Sequence, residues 1–164
     1  METLFTPWRY SLLSVREPST SCFFCDAARR PDEPESLVIA ITEHHLVMLN
    51  KYPYTNGHLM VAPRQHLGDP SAAAPAAAQE LWRLVMRALE AIETAYSPDG
   101  VNLGMNLGLA AGAGVPDHYH FHVVPRWSGD TNFASVVGGL RLVPEELETT
   151  RRKLRRIWRE QESE

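Results

Sequence analysis

Three of the chain's seven histidines occupy alternate positions in one short segment, PDHYHFHVVPRW, residues 116–127. They are His118, His120 and His122, and aromatic or aliphatic residues stand between them. We predict a strand over residues 118–124, in which alternate side chains share one face and lie about 6 to 7 Å apart. The spacing therefore predicts a row of imidazoles on one surface, with an apolar surface behind it.

Two chemistries fit this row of histidines. A neutral imidazole can attack phosphorus and form a covalent phosphoramidate, while its neighbours donate hydrogen bonds to phosphate oxygens or protonate the leaving group. Alternatively, the histidines hold a catalytic zinc with an open position for water. A purely structural role is typical of one histidine on a strand, but three at alternate positions favour chemistry.

Both cysteines of the chain lie in CFFC, as Cys22 and Cys25. In a reducing compartment this spacing indicates metal or redox chemistry more than a structural disulfide. A metal bound here with histidines from elsewhere would leave part of the histidine row available as a nucleophile. A redox pair normally lies between a strand and a helix, a setting that the sequence does not predict here, and two inert thiols are a further alternative.

The composition of the 164-residue chain, 44% hydrophobic and 22% charged, is typical of one soluble domain with its own core. A net charge of -4 and a pI near 6.0 provide no broad basic surface for duplex nucleic acid. The basic run RRKLRRIWRE, residues 151–160, is interpreted as the solvated face of the last helix, because apolar residues interrupt it at helical spacing. The sequence shows neither a signal peptide nor about 18 consecutive apolar residues, so we expect a cytoplasmic protein that does not bind membranes.

The strand and helix signals predict an α+β fold with a largely antiparallel sheet, in one domain over residues 1–164. KYPYTNG predicts a turn that joins two strands as a hairpin and displays Asn50 and His58. Pro75 suits the first turn of one long helix. Residues 1–20 are predicted to form an N-terminal arm, and residues 142–164 are predicted to form a C-terminal helix. The predicted strands are residues 37–41, 44–50, 57–63, 101–108 and the histidine segment.

HYHFHVV resembles the His-apolar-His-apolar-His-apolar-apolar signature of the histidine triad (HIT) superfamily of nucleotide hydrolases and transferases. LNKYPYTNGHLMVAP is similar to the hairpin upstream of that signature. GMNLGLAAGAGVPDHYHFHVVPRWSGDTNF resembles in particular the branch that contains bacterial diadenosine tetraphosphate phosphorylases. The resemblance covers nearly the whole chain and implies a HIT-like fold, with a long central helix, a C-terminal helix and a homodimer that joins two sheets.

The resemblance implies catalytic roles for three histidines. His120 would be the nucleophile that attacks the α-phosphorus of a nucleotide. His122 would bind the phosphate and assist the leaving group, and His58 would contribute from the hairpin. A nucleophilic imidazole needs one unprotonated nitrogen, and an acceptor at its other nitrogen fixes the tautomer.

The resemblance also implies substrate contacts. Asn50 matches a position that hydrogen-bonds ribose hydroxyls, although a turn-capping asparagine is an alternative. Asn106 and the AAGAG loop match the segment that lines the phosphates, where Gly112 and Gly114 would let backbone N–H groups approach anionic oxygens. Gly114 stands where many family members have Ser or Thr, which departs from the family pattern. Trp127 matches a position that closes over the phosphate or nucleotide, although packing at a strand end is an alternative.

The glycine-rich loop has a rival interpretation as a dinucleotide-binding fingerprint. We reject it because a proline and a strand follow the loop, where a helix N-terminus would be required. No organic cofactor is therefore expected.

A structural zinc is implied by the resemblance to the zinc-binding members and the related uridylyltransferases. In those proteins a Cys-x-x-Cys joins the histidine after the hairpin and the first histidine of the triad. The matching residues here are Cys22, Cys25, His66 and His118. Four such ligands close a tetrahedral site, which would hold the N-terminal arm against the catalytic strand.

These features together predict a nucleotidyl transferase or phosphorylase that cleaves dinucleoside polyphosphates of the diadenosine tetraphosphate type through a nucleotidyl-His120 intermediate. Its expected partners are adenine nucleotides and orthophosphate, and not nucleic acid. One alternative is a HIT hydrolase of dinucleoside polyphosphates or nucleoside phosphoramidates. Another is a nucleotide-binding regulator with little turnover.

Overall fold

The computed structural model describes residues 21–131, 137 and 143–162. The described residues form one antiparallel sheet of five strands in the spatial order β1-β2-β3-β5-β4. The strands are β1 (Val38–Ile41), β2 (His45–Leu49), β3 (Leu59–Pro63), β4 (Gly100–Met105) and β5 (Phe121–Arg126). The helices are α1 (Phe23–Arg29), α2 (Pro75–Tyr96) and α3 (Leu147–Glu160). The predicted α+β class with an antiparallel sheet is confirmed, whereas the predicted N-terminal arm, residues 1–20, lies outside the described residues.

The predicted hairpin is formed by β2 and β3. Every residue of both strands is buried, and Val47 pairs with Val61 at the centre of the ladder. The backbone N–H of Asn50 donates to the carbonyl of His58 at 3.0 Å, which closes the ladder at the turn. The hairpin therefore holds Asn50 and His58 opposite each other, as the sequence predicts.

The predicted long helix is α2, which begins at Pro75 and packs its apolar stripe on the sheet. Its buried hydrophobic residues are Leu84, Val85, Ala88, Ala91 and Ile92. In the described part of the chain, no helix combines the length and apolarity needed to cross a bilayer.

The C-terminal helix is shorter than the predicted range 142–164. Helix α3 begins at Leu147, because the backbone of the preceding Glu146 is extended. Just before it, the Glu145 carboxylate accepts from the Tyr96 hydroxyl and from Lys153, each at 2.6 Å. Of the predicted apolar stripe, Leu154, Ile157 and Trp158 are buried, and Leu147 is partly buried against the core. Arg151 corrects the interpretation of the basic run as a solvated face, since this residue is buried and its Nε donates to a backbone carbonyl of β1.

Two further elements differ from the sequence-based prediction. Helix α1 was not predicted, because seven residues are too few to show helical periodicity. The histidine strand was predicted over residues 118–124, but β5 begins at Phe121, because the N–H of His118 donates to the carbonyl of Val115 in a turn. The N–H of Tyr119 donates to the carbonyl of Leu67, so the segment before β5 is bound to the loop after β3.

Gly57 in the hairpin turn allows a test of the packing between the hairpin and α2. Its φ is +74°, and a Cβ at this position would lie 2.8 Å from the Tyr96 ring. We expect Gly57→Ala to reduce the free energy of unfolding by about 1–3 kcal/mol, because the backbone conformation and the ring both oppose a side chain. Urea denaturation measures the change. Gly100→Ala is the matched control, because among the described residues other than its two chain neighbours no atom lies within 4 Å of the added Cβ. It should change stability by less than about 0.5 kcal/mol.

Candidate active site

His120 is held in one tautomer by the backbone next to it. Its Nδ1 lies 3.0 Å from the carbonyl oxygen of His118. A carbonyl oxygen only accepts, so Nδ1 carries the proton and Nε2 carries the lone pair. Within the described chain Nε2 has no hydrogen-bond partner. This is the arrangement that a nucleophilic imidazole requires.

A chain of hydrogen bonds determines which ring nitrogen carries the proton in His58 and in His122. The backbone N–H of Tyr54 donates to Nδ1 of His58 at 3.1 Å, so the neutral His58 ring carries its proton on Nε2. That Nε2 lies 2.9 Å from Nδ1 of His122 and donates to it. The neutral His122 ring therefore carries its own proton on Nε2, which is left as a donor for a ligand.

Burial favours the neutral forms of His120 and His122. His120 is 4% exposed and His122 is 8% exposed. Burial lowers the pKa of His120 below its usual value, although the bond to the His118 carbonyl opposes this shift. Burial and the neighbouring His120 lower the pKa of His122 to about 4. The ring centroids of these two histidines are 4.8 Å apart, so the imidazole that carries the lone pair is in contact with the imidazole that carries the N–H donor.

A cavity of about 800 Å³ extends from His122 across β4 and β5 to the turn after β5. This volume is within the range of small-molecule sites. Its walls combine apolar and aromatic side chains, among them Tyr54 and Leu103, with the carboxamides of Asn102 and Asn106. The cavity is therefore suited to a heterocyclic group with polar edges.

The charges on the cavity wall largely cancel each other. Arg126 binds both carboxylate oxygens of Asp130, at 2.6 and 2.9 Å, and also donates to Asn102 at 2.9 Å. The guanidinium holds the pKa of Asp130 far below its usual range. The contact of Arg126 with Asn102 was not predicted from the sequence, because it depends on β4 and β5 being neighbours.

The predicted substrate-binding residues are not all part of this cavity. Asn106 and Trp127 line it. The Asn50 side chain instead accepts from the Tyr52 N–H at 2.9 Å and contacts Nδ1 of His58 at 3.4 Å. Gly112 and Gly114 lie on an exposed loop, where the Gly112 amide donates within a 3-10 turn, Leu109–Ala111, at 2.9 Å.

Trp127 shows both features that the sequence left as alternatives. It lines the cavity, and its ring also makes an edge contact with Tyr96, with the centroids 6.4 Å apart. The predicted roles of these residues in substrate binding remain predictions.

Two aromatic residues of the site were missed in the sequence. The Tyr54 ring lies 4.5 Å from the His58 ring and 5.8 Å from the His122 ring, between centroids. Phe24 packs against His118 and His120, with centroids 5.0 and 4.7 Å apart. The sequence signal for Phe24 was its position between the two cysteines of CFFC, but that pattern predicts a role for the thiols and none for the aromatic ring.

The four predicted metal ligands lie together at the other end of the histidine row. The ligand atoms of Cys22, Cys25, His66 and His118 all lie within 4.8 Å of one another. Nδ1 of His118 is 3.3 Å from Sγ of Cys22 and 3.7 Å from Sγ of Cys25, and Nδ1 of His66 is 3.4 Å from the latter.

The tautomer of His118 suits metal binding. Its Nε2 lies 2.7 Å from the carbonyl of Pro63 and donates to it, so Nδ1 presents its lone pair to the cysteines. A backbone carbonyl behind a metal-bound histidine is a common orienting contact. Two thiols and two imidazoles at these separations fit a tetrahedral zinc ion.

The comparison with protein families shows to which family this chain belongs. The HIT domain family matches residues 32–129. The chain belongs to the HIT family. This match covers more than half of the chain and includes the hairpin, α2 and the complete histidine row.

Individual HIT proteins are similar over most of the chain. The protein is 36% identical to the AP-4-A phosphorylase of Mycobacterium tuberculosis over 98% of this chain and 86% of that protein. The structure of a Zn-bound histidine triad family protein from Mycobacterium smegmatis has a TM-score of 0.70 and 32% identity, covering 87% and 96% of the two chains. A hypothetical histidine triad nucleotide-binding protein from Sulfolobus tokodaii has a TM-score of 0.69 and 28% identity, covering 85% and 93%. The family and the phosphorylase branch to which the sequence was assigned are thus confirmed as its relatives.

The lowered pKa of His122 leads to a prediction about stability. The unfolded chain takes up a proton at this residue near pH 6.5, whereas the folded protein does so near pH 4, so the protein loses stability as the pH falls through this window. Between pH 7.5 and pH 5, His122→Gln should lose about 2 kcal/mol less unfolding free energy than the wild type. Urea denaturation of both proteins at both pH values measures the difference. An equal loss in the two proteins would contradict the assignment of a neutral, buried His122.

Proposed function

We propose that this HIT protein is a nucleotide phosphorylase or hydrolase that cleaves dinucleoside polyphosphates, such as diadenosine tetraphosphate, at the α-phosphate. The observation that carries the proposal is the Nδ1–H tautomer of His120, which leaves a lone pair on Nε2 in a ring that contacts the N–H-donating ring of His122. The 36% identity to a relative named AP-4-A phosphorylase supports this substrate class.

The first step is an attack by His120 on the α-phosphorus. A bond forms between Nε2 and phosphorus, and the bond from phosphorus to the bridging oxygen breaks. The electron pair of that bond leaves with the polyphosphate. The substituted imidazole keeps its proton on Nδ1, where the carbonyl of His118 stabilises the positive charge.

His122 acts on the oxygens of the reacting phosphate. Its Nε2–H donates a hydrogen bond to the oxygen on which negative charge develops, and His58 keeps this proton in place by donating to Nδ1 of His122. His58 is itself held by the N–H of Tyr54. His58 therefore contributes through the orientation of His122.

The leaving nucleotide occupies the cavity that begins at His122. Arg126 is already paired with Asp130, so this part of the cavity wall carries little net charge and is suited to a nucleoside. Asn106 contacts the phosphates at the inner end, and the ring of Trp127 is available to stack on a base. The nucleotide that becomes attached to His120 contacts Asn50, Gly112 and Gly114, as the resemblance implies.

The acceptor in the second step determines the products. The acceptor oxygen attacks phosphorus, the bond from Nε2 breaks, and its electron pair returns to His120. With orthophosphate as acceptor, diadenosine tetraphosphate yields ADP and ATP, and with water it yields AMP and ATP. We propose orthophosphate as the acceptor and adenine as the preferred base, because both agree with the named relative.

We propose that Cys22, Cys25, His66 and His118 hold a structural zinc. The separations between their ligand atoms and the carbonyl behind His118 support this assignment, as does the Zn-bound relative. Zinc would supply a tetrahedral crosslink between α1, the loop after β3 and the segment before β5.

We also propose one HIT domain that forms a homodimer, as the family resemblance implies. Strand β4 lies at the edge of the sheet, where a second sheet could pair with it.

Product analysis of diadenosine tetraphosphate with and without orthophosphate tests the proposed reaction. The wild type should release ADP and ATP only when phosphate is present. His120→Asn should reduce kcat by at least about 1,000-fold while retaining nucleotide binding, because the nucleophile is lost and the phosphate contacts remain. His44→Asn is the matched control, since this histidine lines a different cavity, and it should retain turnover.

The same experiment separates the alternative functions. AMP and ATP formed without phosphate would assign a hydrolase. Nucleotide binding without turnover in either condition would assign a regulator and contradict the proposed enzyme. Turnover retained by His120→Asn would contradict the nucleophile.

Metal analysis tests the zinc assignment. Purified wild-type protein should contain about one zinc ion per chain. Cys25→Ser should lose most of the bound zinc, because serine is a much weaker zinc ligand than a thiolate. Asp26→Asn, a change at the neighbouring residue, should retain it. Zinc at the wild-type level in Cys25→Ser would exclude this cluster as the metal site.

A further inference from the structure

We propose that Phe24 is a positioning residue for the nucleophile and that the cysteine cluster acts on His120 through it. This inference rests on the proposed function, which assigns the nucleophile to His120. The cluster would then be more than a crosslink of the fold. It would also help to orient the reacting imidazole.

Phe24 is in direct contact with the nucleophile. Its ring centroid lies 4.7 Å from that of His120, with an angle of 34° between the ring planes. It also lies 5.0 Å from the ring of His118. Phe24 is 1% exposed, so its ring is a wall of the protein interior and offers almost no surface to a substrate.

The position of Phe24 on the chain connects this ring to the metal cluster. Cys22 is the N-cap of α1 and Cys25 lies in its first turn, so the two thiols flank Phe24 in sequence. Both Sγ atoms lie within 3.7 Å of Nδ1 of His118. A metal ion held by these atoms fixes the first turn of α1 on both sides of Phe24.

His118 provides a second connection between the cysteine cluster and the nucleophile. Its side chain is held between the cysteines and the carbonyl of Pro63, and its own carbonyl accepts the Nδ1 proton of His120. The Nδ1 atom of His120 is therefore hydrogen-bonded to His118, which belongs to the cysteine cluster. The imidazole also packs against Phe24, which lies between the two cysteines in the sequence. These contacts favour the one rotamer that places Nε2 beside His122.

The inference predicts a loss of kcat without a loss of substrate affinity. A reacting atom displaced by about 1 Å can cost about 100-fold in rate. We expect kcat to fall about tenfold in Phe24→Leu, which keeps most of the side-chain volume, and about 100-fold in Phe24→Ala, while KM changes by less than about twofold.

The matched control is Phe23→Leu. Phe23 precedes Phe24 on the same helix and contacts its ring edge-on at a centroid distance of 5.6 Å. In the described part of the chain, the ring of Phe23 has no contact with a histidine ring. This variant should retain the kcat, KM and metal content of the wild type.

Two measurements do not depend on turnover. Metal analysis should show wild-type zinc content in Phe24→Leu. At one fixed pH, ¹⁵N NMR of the histidine rings should show His120 as the Nδ1–H tautomer in the wild type and in Phe23→Leu. A mixture of both tautomers is expected in Phe24→Leu, because its imidazole is no longer confined to one orientation.

Three results would overturn the proposal. The first is a Phe24→Leu protein with wild-type kcat and a single His120 tautomer. The second is a rise in KM at constant kcat, which would make Phe24 a substrate contact. The third is a loss of zinc from Phe24→Leu, which would make Phe24 a component of metal-site assembly. If Phe24→Ala does not fold, Phe24→Leu decides the question.

The test also separates this proposal from the proposed function. If the wild type turns over no dinucleoside polyphosphate, the proposed function fails. The tautomer comparison between Phe24→Leu and Phe23→Leu then still supports or overturns the positioning role of Phe24.

Discussion

The hydrogen bond from Nδ1 of His120 to the carbonyl of His118 is the contact on which the rest of the site depends. It converts an imidazole with two accessible neutral tautomers into one with a defined lone pair. The bond spans only two residues, so its strength depends on how firmly His118 itself is held. Pro63 and the two cysteines hold the His118 side chain, and the sheet and α1 thereby contribute to the orientation of the nucleophile.

Burial is the second constraint, because it keeps the imidazoles neutral. An imidazole in water near pH 6.5 is protonated in about half of the molecules, and a protonated His120 has no lone pair for attack. The interior reduces protonation of both His120 and His122 by withholding solvent from their charged forms. This desolvation is tolerable because backbone groups satisfy the buried ring nitrogens at His118, His58 and His120.

Strand pairing brings together histidines that are distant in sequence. His58 precedes β3 and His122 lies within β5, and the pairing of Met60 with His122 puts the two imidazoles within hydrogen-bond distance. A slip of one residue in this pairing would turn His122 to the opposite face of the sheet, away from His58.

The sequence by itself determined the features that depend on local spacing. The alternation of histidines, the hairpin before His58, the long helix after Pro75 and the antiparallel α+β class all follow from periods of two or 3.6 residues and from turn residues. The resemblance to a known family added the grouping of Cys22 and Cys25 with two histidines. None of these features requires knowledge of how distant segments pack.

Tertiary structure alone decided the features that depend on contact between distant segments. Helix α1 is too short to show a period, and its stability derives from packing of Phe24 and Ala27 in the core. The start of β5 was decided by the loop after β3, where the carbonyl of Leu67 accepts a hydrogen bond from the N–H of Tyr119. The pairing of Arg126 with Asn102 likewise required β4 beside β5. The tautomers were decided in the same way, because a proton position depends on which acceptor the fold places at each nitrogen.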